Sequence, residues 1–278
     1  MNMTLGQLPT RLTTRGALRV PEIAVFFWAI KGLSTAMGEA TSDYLVHAMD
    51  PVLAVCIGFA GFVVALVLQF SVRRYYAVTY WFAVVMVGVF GTMAADVLHV
   101  RFKVPYVASS VLYAVVLAAV FVSWQKTERT LSIHSVNTAR REAFYWATVA
   151  ATFAMGTALG DLTAVTLHLG YFPSLALFAG LIAVPAIGYR YFRWNAVLAF
   201  WSAYVLTRPL GASFADALGK PTVSSGLGWG DGRVTAALTI VIAALVAYLA
   251  VSRRDVQRRT IDLDPPHTPA HAARQVGT

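Results

Sequence analysis

An aromatic-Trp pair, nine residues, a Gly, four residues and an Asp recur four times along this 278-residue chain. The copies are Phe27-Trp28, Gly38 and Asp43; Tyr80-Trp81, Gly91 and Asp96; Tyr145-Trp146, Gly156 and Asp161; and Phe200-Trp201, Gly211 and Asp216. Random placement of the chain's 7 Trp, 20 Gly and 9 Asp predicts roughly 0.02 such matches, so the period reflects an internal four-fold repeat. A fold built from it must accommodate the same acidic side chain four times.

The acids stand in apolar surroundings. Hydrophobic residues make up 58% of the chain and charged ones 13%, with a mean hydropathy of +0.64, a balance that points to an integral membrane protein rather than a soluble domain. Eight apolar stretches of about twenty residues are expected to be spans, near 22–46, 51–72, 76–99, 104–124, 143–167, 173–192, 196–217 and 233–252. The fold class is therefore all-α, with eight transmembrane helices as four tandem two-helix repeats. Their approximate limits are 21–75, 76–142, 143–195 and 196–252. Pro21, Pro51, Pro105 and Pro173 sit where a first helical turn starts, which tolerates a missing N–H.

Lys and Arg set the orientation. Sixteen fall in the N-tail (1–20), the loops after spans two, four and six, and the C-tail (253–278), against Arg101, Lys103, Lys220 and Arg233 on the other side. Both termini are accordingly expected in the cytoplasm. The net charge of +9 then reflects topology beside anionic lipid and not nucleic-acid binding. Arg11, Arg15 and Arg19 precede no short apolar run with a small-residue cleavage site, so no cleaved signal peptide is expected. The C-tail, with Pro265, Pro266 and Pro269, reads as disordered, and the stretch 125–142 as a polar cytoplasmic linker. Cys56 stands alone, which excludes a disulfide framework and a thiolate metal site, and is expected to be a small core residue.

Two spans per repeat make all four repeats enter the membrane in the same direction, about an axis along its normal. Charge within the spans is confined to the first helix of each repeat. Ionisable side chains avoid lipid, so those four helices should surround the centre and the others the periphery. On the first helix, at 100° per residue, Trp28, Lys31, Gly38, Glu39, Ser42 and Asp43 share about 140° of arc.

Each motif element carries its own expectation. Gly38, Gly91, Gly156 and Gly211, each with a small residue four positions on, suit close helix packing. Trp28, Trp81, Trp146 and Trp201 suit aromatic anchors, through an interfacial belt or interhelical packing. Asp43, Asp96, Asp161 and Asp216, with Glu39, form a candidate cation- or proton-binding set, and Lys31 and Arg208 the counter-charges. Oxygen ligands without Cys suit Mg²⁺, Ca²⁺, Mn²⁺, Na⁺ or a proton. Pro209 should kink or hinge the seventh span. His47 lies one turn beyond Asp43, and His99 and His168 also follow a motif Asp, which makes metal ligation the sharper reading of an otherwise ordinary interfacial position. The glycine-rich stretch 226–232 has no following GK[ST] and is no phosphate loop.

The runs "FFWAIKGLSTAMGEATSDYLV", "ERTLSIHSV", "TFAMGTALGDLTA" and "TRPLGASFADALGKP" resemble the bacterial integral membrane family of four tandem two-helix repeats of unknown function, the uncharacterised membrane-anchored proteins. The resemblance covers about residues 20 to 252 and implies a multi-pass protein of the bacterial cytoplasmic (inner) membrane; it brings no catalytic residues. Two functions follow from the residues: a transporter or permease for a small cation or proton-coupled solute, or a structural or partner-binding membrane protein. No HExxH, Ser/His pairing or cofactor loop points to an enzyme, no cofactor is expected, and the expected partners are the lipid bilayer and a small cation or proton.

Overall fold

A computed structural model describes residues 17–257. Among these, eight helices follow one another: α1 (Val25–Ala48), α2 (Pro51–Ser71), α3 (Ala77–Val100), α4 (Tyr106–Glu128), α5 (Ala139–Asp161), α6 (Tyr171–Tyr191), α7 (Ala196–Gly219) and α8 (Asp231–Ser252). Local chemistry starts several of them. Asp50 accepts from the amides of Val52 and Leu53 at the head of α2, where Pro51 needs no partner; Asn195 and Thr138 cap α7 and α5 in the same way. A π-helical turn, Leu162–Thr166, continues α5 past its motif Asp161. α7 remains helical through Pro209.

The motif helices form the inner layer. α1 packs on α3, α3 on α5, α5 on α7, and α7 back on α1, which closes a ring. The even-numbered helices lie outside it, and each packs chiefly on the motif helix of the following repeat: α2 on α3, α4 on α5, α6 on α7, and α8 on α1. About a fifth of each outer helix is buried, against 61% of α3 and 67% of α5. Their outward faces carry Val52, Phe59, Val67, Val111, Val115, Ile187, Ile240 and Val251 in the open, a surface that suits hydrocarbon rather than water. Six helices, α2 to α6 and α8, are long and apolar enough to cross a membrane. α1 and α7 match them in length but hold the charged side chains of the ring.

The motif glycines are the contact points of this ring. A Cβ on Gly38 would lie 2.9 Å from the carbonyl carbon of Gly88, and one on Gly91 would lie 3.0 Å from Cβ of Phe153. One on Gly156 would strike the stem of Arg208, and one on Gly211 the side chain of Thr35. Gly88, Phe153, Arg208 and Thr35 each stand three residues before the motif Gly of their own helix. The same backbone approach is therefore used four times round the axis, as small residues one turn apart allow.

Both described ends of the chain meet at one end of the bundle, which the loops help to cover. The Tyr75 amide donates to the Leu18 carbonyl (2.9 Å), Arg19 pairs with Glu142, and Gln69 donates to the other oxygen of that carboxylate (2.8 Å). Ile133 and Val136 of the 125–142 linker are buried in the core, so this stretch is packed rather than a free polar tether. The C-tail also departs from expectation at its start. The Asp255 carboxylate accepts from the Tyr75 hydroxyl, and Gln257 donates to the Pro21 carbonyl (2.9 Å), so 253–257 are docked and not disordered. Burial pushes both the Asp255 carboxyl and the Tyr75 hydroxyl above their ordinary ranges. Residues 1–16 and 258–278, and the expectations placed on them, lie outside the described residues. Cys56 is exposed on α2 and is not a core residue.

Candidate functional site

Three polar layers lie along the ring. The middle one is built from the position just after each motif Gly, which is Glu39, Thr92, Thr157 and Ala212. Arg208, from one turn earlier on α7, reaches into it. Its Nη2 shares its two N–H groups among Glu39 Oε2 (2.5 Å), Thr157 Oγ1 (2.6 Å) and the Thr92 hydroxyl, so one guanidinium nitrogen ties α7 to α1, α3 and α5. Arg208 and Glu39 are almost wholly enclosed, at 0% and 6% side-chain exposure. The pair replaces a charge that would otherwise cost about 2.5–3.5 kcal/mol at a bilayer centre.

The distal layer, away from the chain ends, holds the motif Asp residues. Glu39, Asp43 and Asp216 each bring an oxygen within 4.8 Å of the others. Lys220, just past the end of α7, pairs with Asp43 and approaches Asp216 (3.9 Å) and Asp231 (3.7 Å). Burial lowers the Lys220 ammonium, but Asp43 and Asp216 outweigh it and hold the group above the ordinary lysine range, so it is charged at neutral pH. Asp96 and Asp161 are half-buried on α3 and α5, outside this carboxylate group, and no ion pair reaches them among the described residues. The expected ring of four equivalent acids is thus a group of two Asp and one Glu on adjacent helices α1 and α7, with two outliers.

The counter-charges also differ from expectation. Arg208 neutralises Glu39, as anticipated, but Lys31 meets no acid. Its Nζ lies 4.3 Å from the ring centres of both Phe153 and Tyr204 and has no hydrogen-bond partner among the described residues. Lys220 takes the expected role instead. Lys220 was read as an outer loop charge, yet it occupies the α7 position equivalent to His47 of α1, a correspondence the repeat alignment shows. Thr92 and Thr157 could have been found the same way, as the aligned neighbours of Glu39. His47 turns to the Asp43 backbone carbonyl (2.6 Å), and His99 to that of Val104 while stacking on Tyr106. His47 and His168 are exposed, and among the described residues no His joins the carboxylate group.

The third layer, nearest the chain ends, is aromatic. Phe27, Tyr80, Tyr145, Phe200 and Tyr204 are buried, with the hydroxyls of Tyr80 and Tyr145 hydrogen-bonded to each other. Trp81, Trp146 and Trp201 are buried beside them and Trp28 is half-buried, so the motif Trp residues pack between helices and do not form an interfacial belt. The reason is the cover of loop and tail above them: the Trp201 indole donates to the Leu131 carbonyl of the linker (2.9 Å).

A closed ring of repeated helix pairs, apolar outside and charged along its axis, defines a helical membrane protein with internal repeats. The chain belongs to the family described as Repeat of Unknown Function (DUF347), whose model matches four tandem stretches, residues 26–75, 79–130, 144–193 and 199–255. Each stretch holds one inner and one outer helix. No curated protein and no solved structure matches the chain.

Proposed function

We propose that this protein is a multi-pass permease of the bacterial inner membrane that moves a small cation or a proton-coupled solute. All eight helices span, with α1 and α7 turning their charges into the ring, and the basic end that carries both termini faces the cytoplasm. The observation that carries the reading is the Lys220 ammonium set among Asp43, Asp216 and Asp231, beside Glu39. Oxygens this close hold a cation, and here the cation is tethered by a side chain at the mouth of the ring. A transported cation or proton takes the place of Lys220, which swings aside on its flexible stem. The aromatic layer and the docked tail close the opposite end. The protein acts as a carrier and not as an enzyme.

The Arg208 knot favours a second reading, because a guanidinium shared by four helices also serves a purely structural bundle. Flux separates the two. Purified protein in proteoliposomes loaded with a pH-sensitive dye, and assayed with Na⁺, K⁺, Mg²⁺, Ca²⁺ and Mn²⁺, is expected to pass protons or one of these ions. Asp43→Asn combined with Asp216→Asn should slow that flux by at least about tenfold, the effect of losing roughly 1.4 kcal/mol from the barrier-lowering interactions. No flux of any of these ions in the wild type leaves the structural reading.

A further inference from the structure

Lys31 is a buried ionisable side chain of the ring to which the permease reading gives no task. Its Nζ is enclosed, at 0% exposure for the residue, and has no hydrogen-bond partner among the described residues. The groups around it are defined on every side. α7 contributes the Tyr204 ring at 4.3 Å and the Arg208 guanidinium, which shares the Phe153 ring with Lys31. α5 contributes Phe153 at 4.3 Å. Val84 and Val149 occupy its level on α3 and α5. α8 lays Leu238 and Ile242 along α1, and α2 has no titratable residue but the exposed Cys56.

The acid of the middle layer is already used, since Glu39 is paired with Arg208. An ammonium at Lys31 would therefore be a second cation beside the guanidinium, held only by two aromatic faces. Those contacts repay less than the hydration and hydrogen bonds such a group loses on burial. A neutral amine has no such deficit, and its lone pair is a base. Above it, toward the chain ends, lies the Tyr80–Tyr145 hydroxyl pair, with Tyr204 buried beside it. The axis thus offers a proton-accepting nitrogen between the Arg208 knot and the hydroxyl cluster.

We propose that Lys31 is the inner proton-binding site of this permease, an uncharged amine in the closed conformation described here that accepts a proton when the aromatic layer parts. The inference rests on the permease reading and gives the coupling ion a second site. The balance is one proton: the Nζ lone pair takes it from a hydronium ion admitted at the cytoplasmic end, leaving water and an ammonium, and gives it up toward the Asp43 and Asp216 carboxylates at the far end of the ring, which restores the neutral amine. Arg208 remains charged throughout, paired with Glu39.

Two variants test this in detergent and in proteoliposomes loaded with a pH-sensitive dye. Lys31→Met keeps the volume and lacks the base; it is expected to melt close to the wild type and to lose proton flux by at least about tenfold. Lys31→Arg cannot shed its charge and is expected to melt well below the wild type. The inference is overturned if Lys31→Arg matches the wild type in melting and flux while Lys31→Met melts early, since Lys31 is then a permanent cation. Stabilisation of the wild type by chloride over gluconate, lost in Lys31→Met, would equally overturn it, because the site then takes an anion. Proton flux in Lys31→Met equal to the wild type sinks this inference alone. Absence of any flux in the wild type sinks the permease reading, and this one with it.

Discussion

Arg208→Met should destabilise the folded bundle by about 3–5 kcal/mol, the cost of breaking a buried ion pair on one side only. The guanidinium is fully enclosed and its removal strands the Glu39 carboxylate, which is itself 6% exposed. Thr92 and Thr157 lose their donor at the same time. Most of that cost is the penalty of an unpaired charge, so removing both charges should recover it. Glu39→Met with Arg208→Met is expected to return to within about 1–2 kcal/mol of the wild type, a non-additivity that thermal or SDS unfolding in detergent measures as a double-mutant cycle. If the double variant is as unstable as the sum of the two single ones, the two charges do not act as a pair.

Gly38→Ala should cost about 1–3 kcal/mol, from a single added methyl group. Its Cβ would sit 2.9 Å from the carbonyl carbon and 3.0 Å from the Cα of Gly88, and a backbone cannot swing aside as the end of a side chain can. Gly32, six residues earlier on α1, is the control. A Cβ there meets nothing within 4 Å, so Gly32→Ala should be neutral or stabilising by up to about 1 kcal/mol. Equal unfolding midpoints for the two variants would remove the packing role assigned to the motif glycine.

Much of this architecture was legible in the residues. Long apolar stretches, one of them opening on Pro51, announce helices because hydropathy and the first turn's tolerance of proline are local properties. The inner and outer layers were legible too, since charge restricted to one helix of each repeat dictates which helices can face lipid. The partner of each outer helix was not, because α2 on α3 and α8 on α1 follow from ring closure, and a single repeat carries no record of it. The fate of the Trp residues depended on distant cover: Leu131, Ile133 and Val136 lie in a stretch whose polarity suggested a free linker.

The charged site was half legible. Glu39, Asp43, Asp216 and Arg208 stand out because ionisable residues are rare in such helices, and the structure does join them. Lys220 was hidden by its position one residue past the end of α7, where a basic residue is unremarkable. Lys31 was misassigned for the opposite reason. Charge arithmetic offered it to the acids as a partner, but eight residues of helix, about 12 Å at the helical rise, separate it from Glu39.

The central claim is that the motif helices close into a ring whose axis carries these side chains, and closure of α7 on α1 brings the outer helix of the last repeat, α8, onto the first helix. Thr41 of α1 donates from Oγ1 to Oγ1 of Thr235 on α8 at 3.4 Å. Thr41→Cys and Thr235→Cys, introduced together with Cys56→Ser, should therefore form a disulfide under mild oxidation in membranes, as the side-chain separation suits S–S geometry. A cross-linked monomer that stays in one piece after cleavage of the chain between repeats two and three is the expected result. Two separable fragments, with both thiols free, would contradict a closed ring.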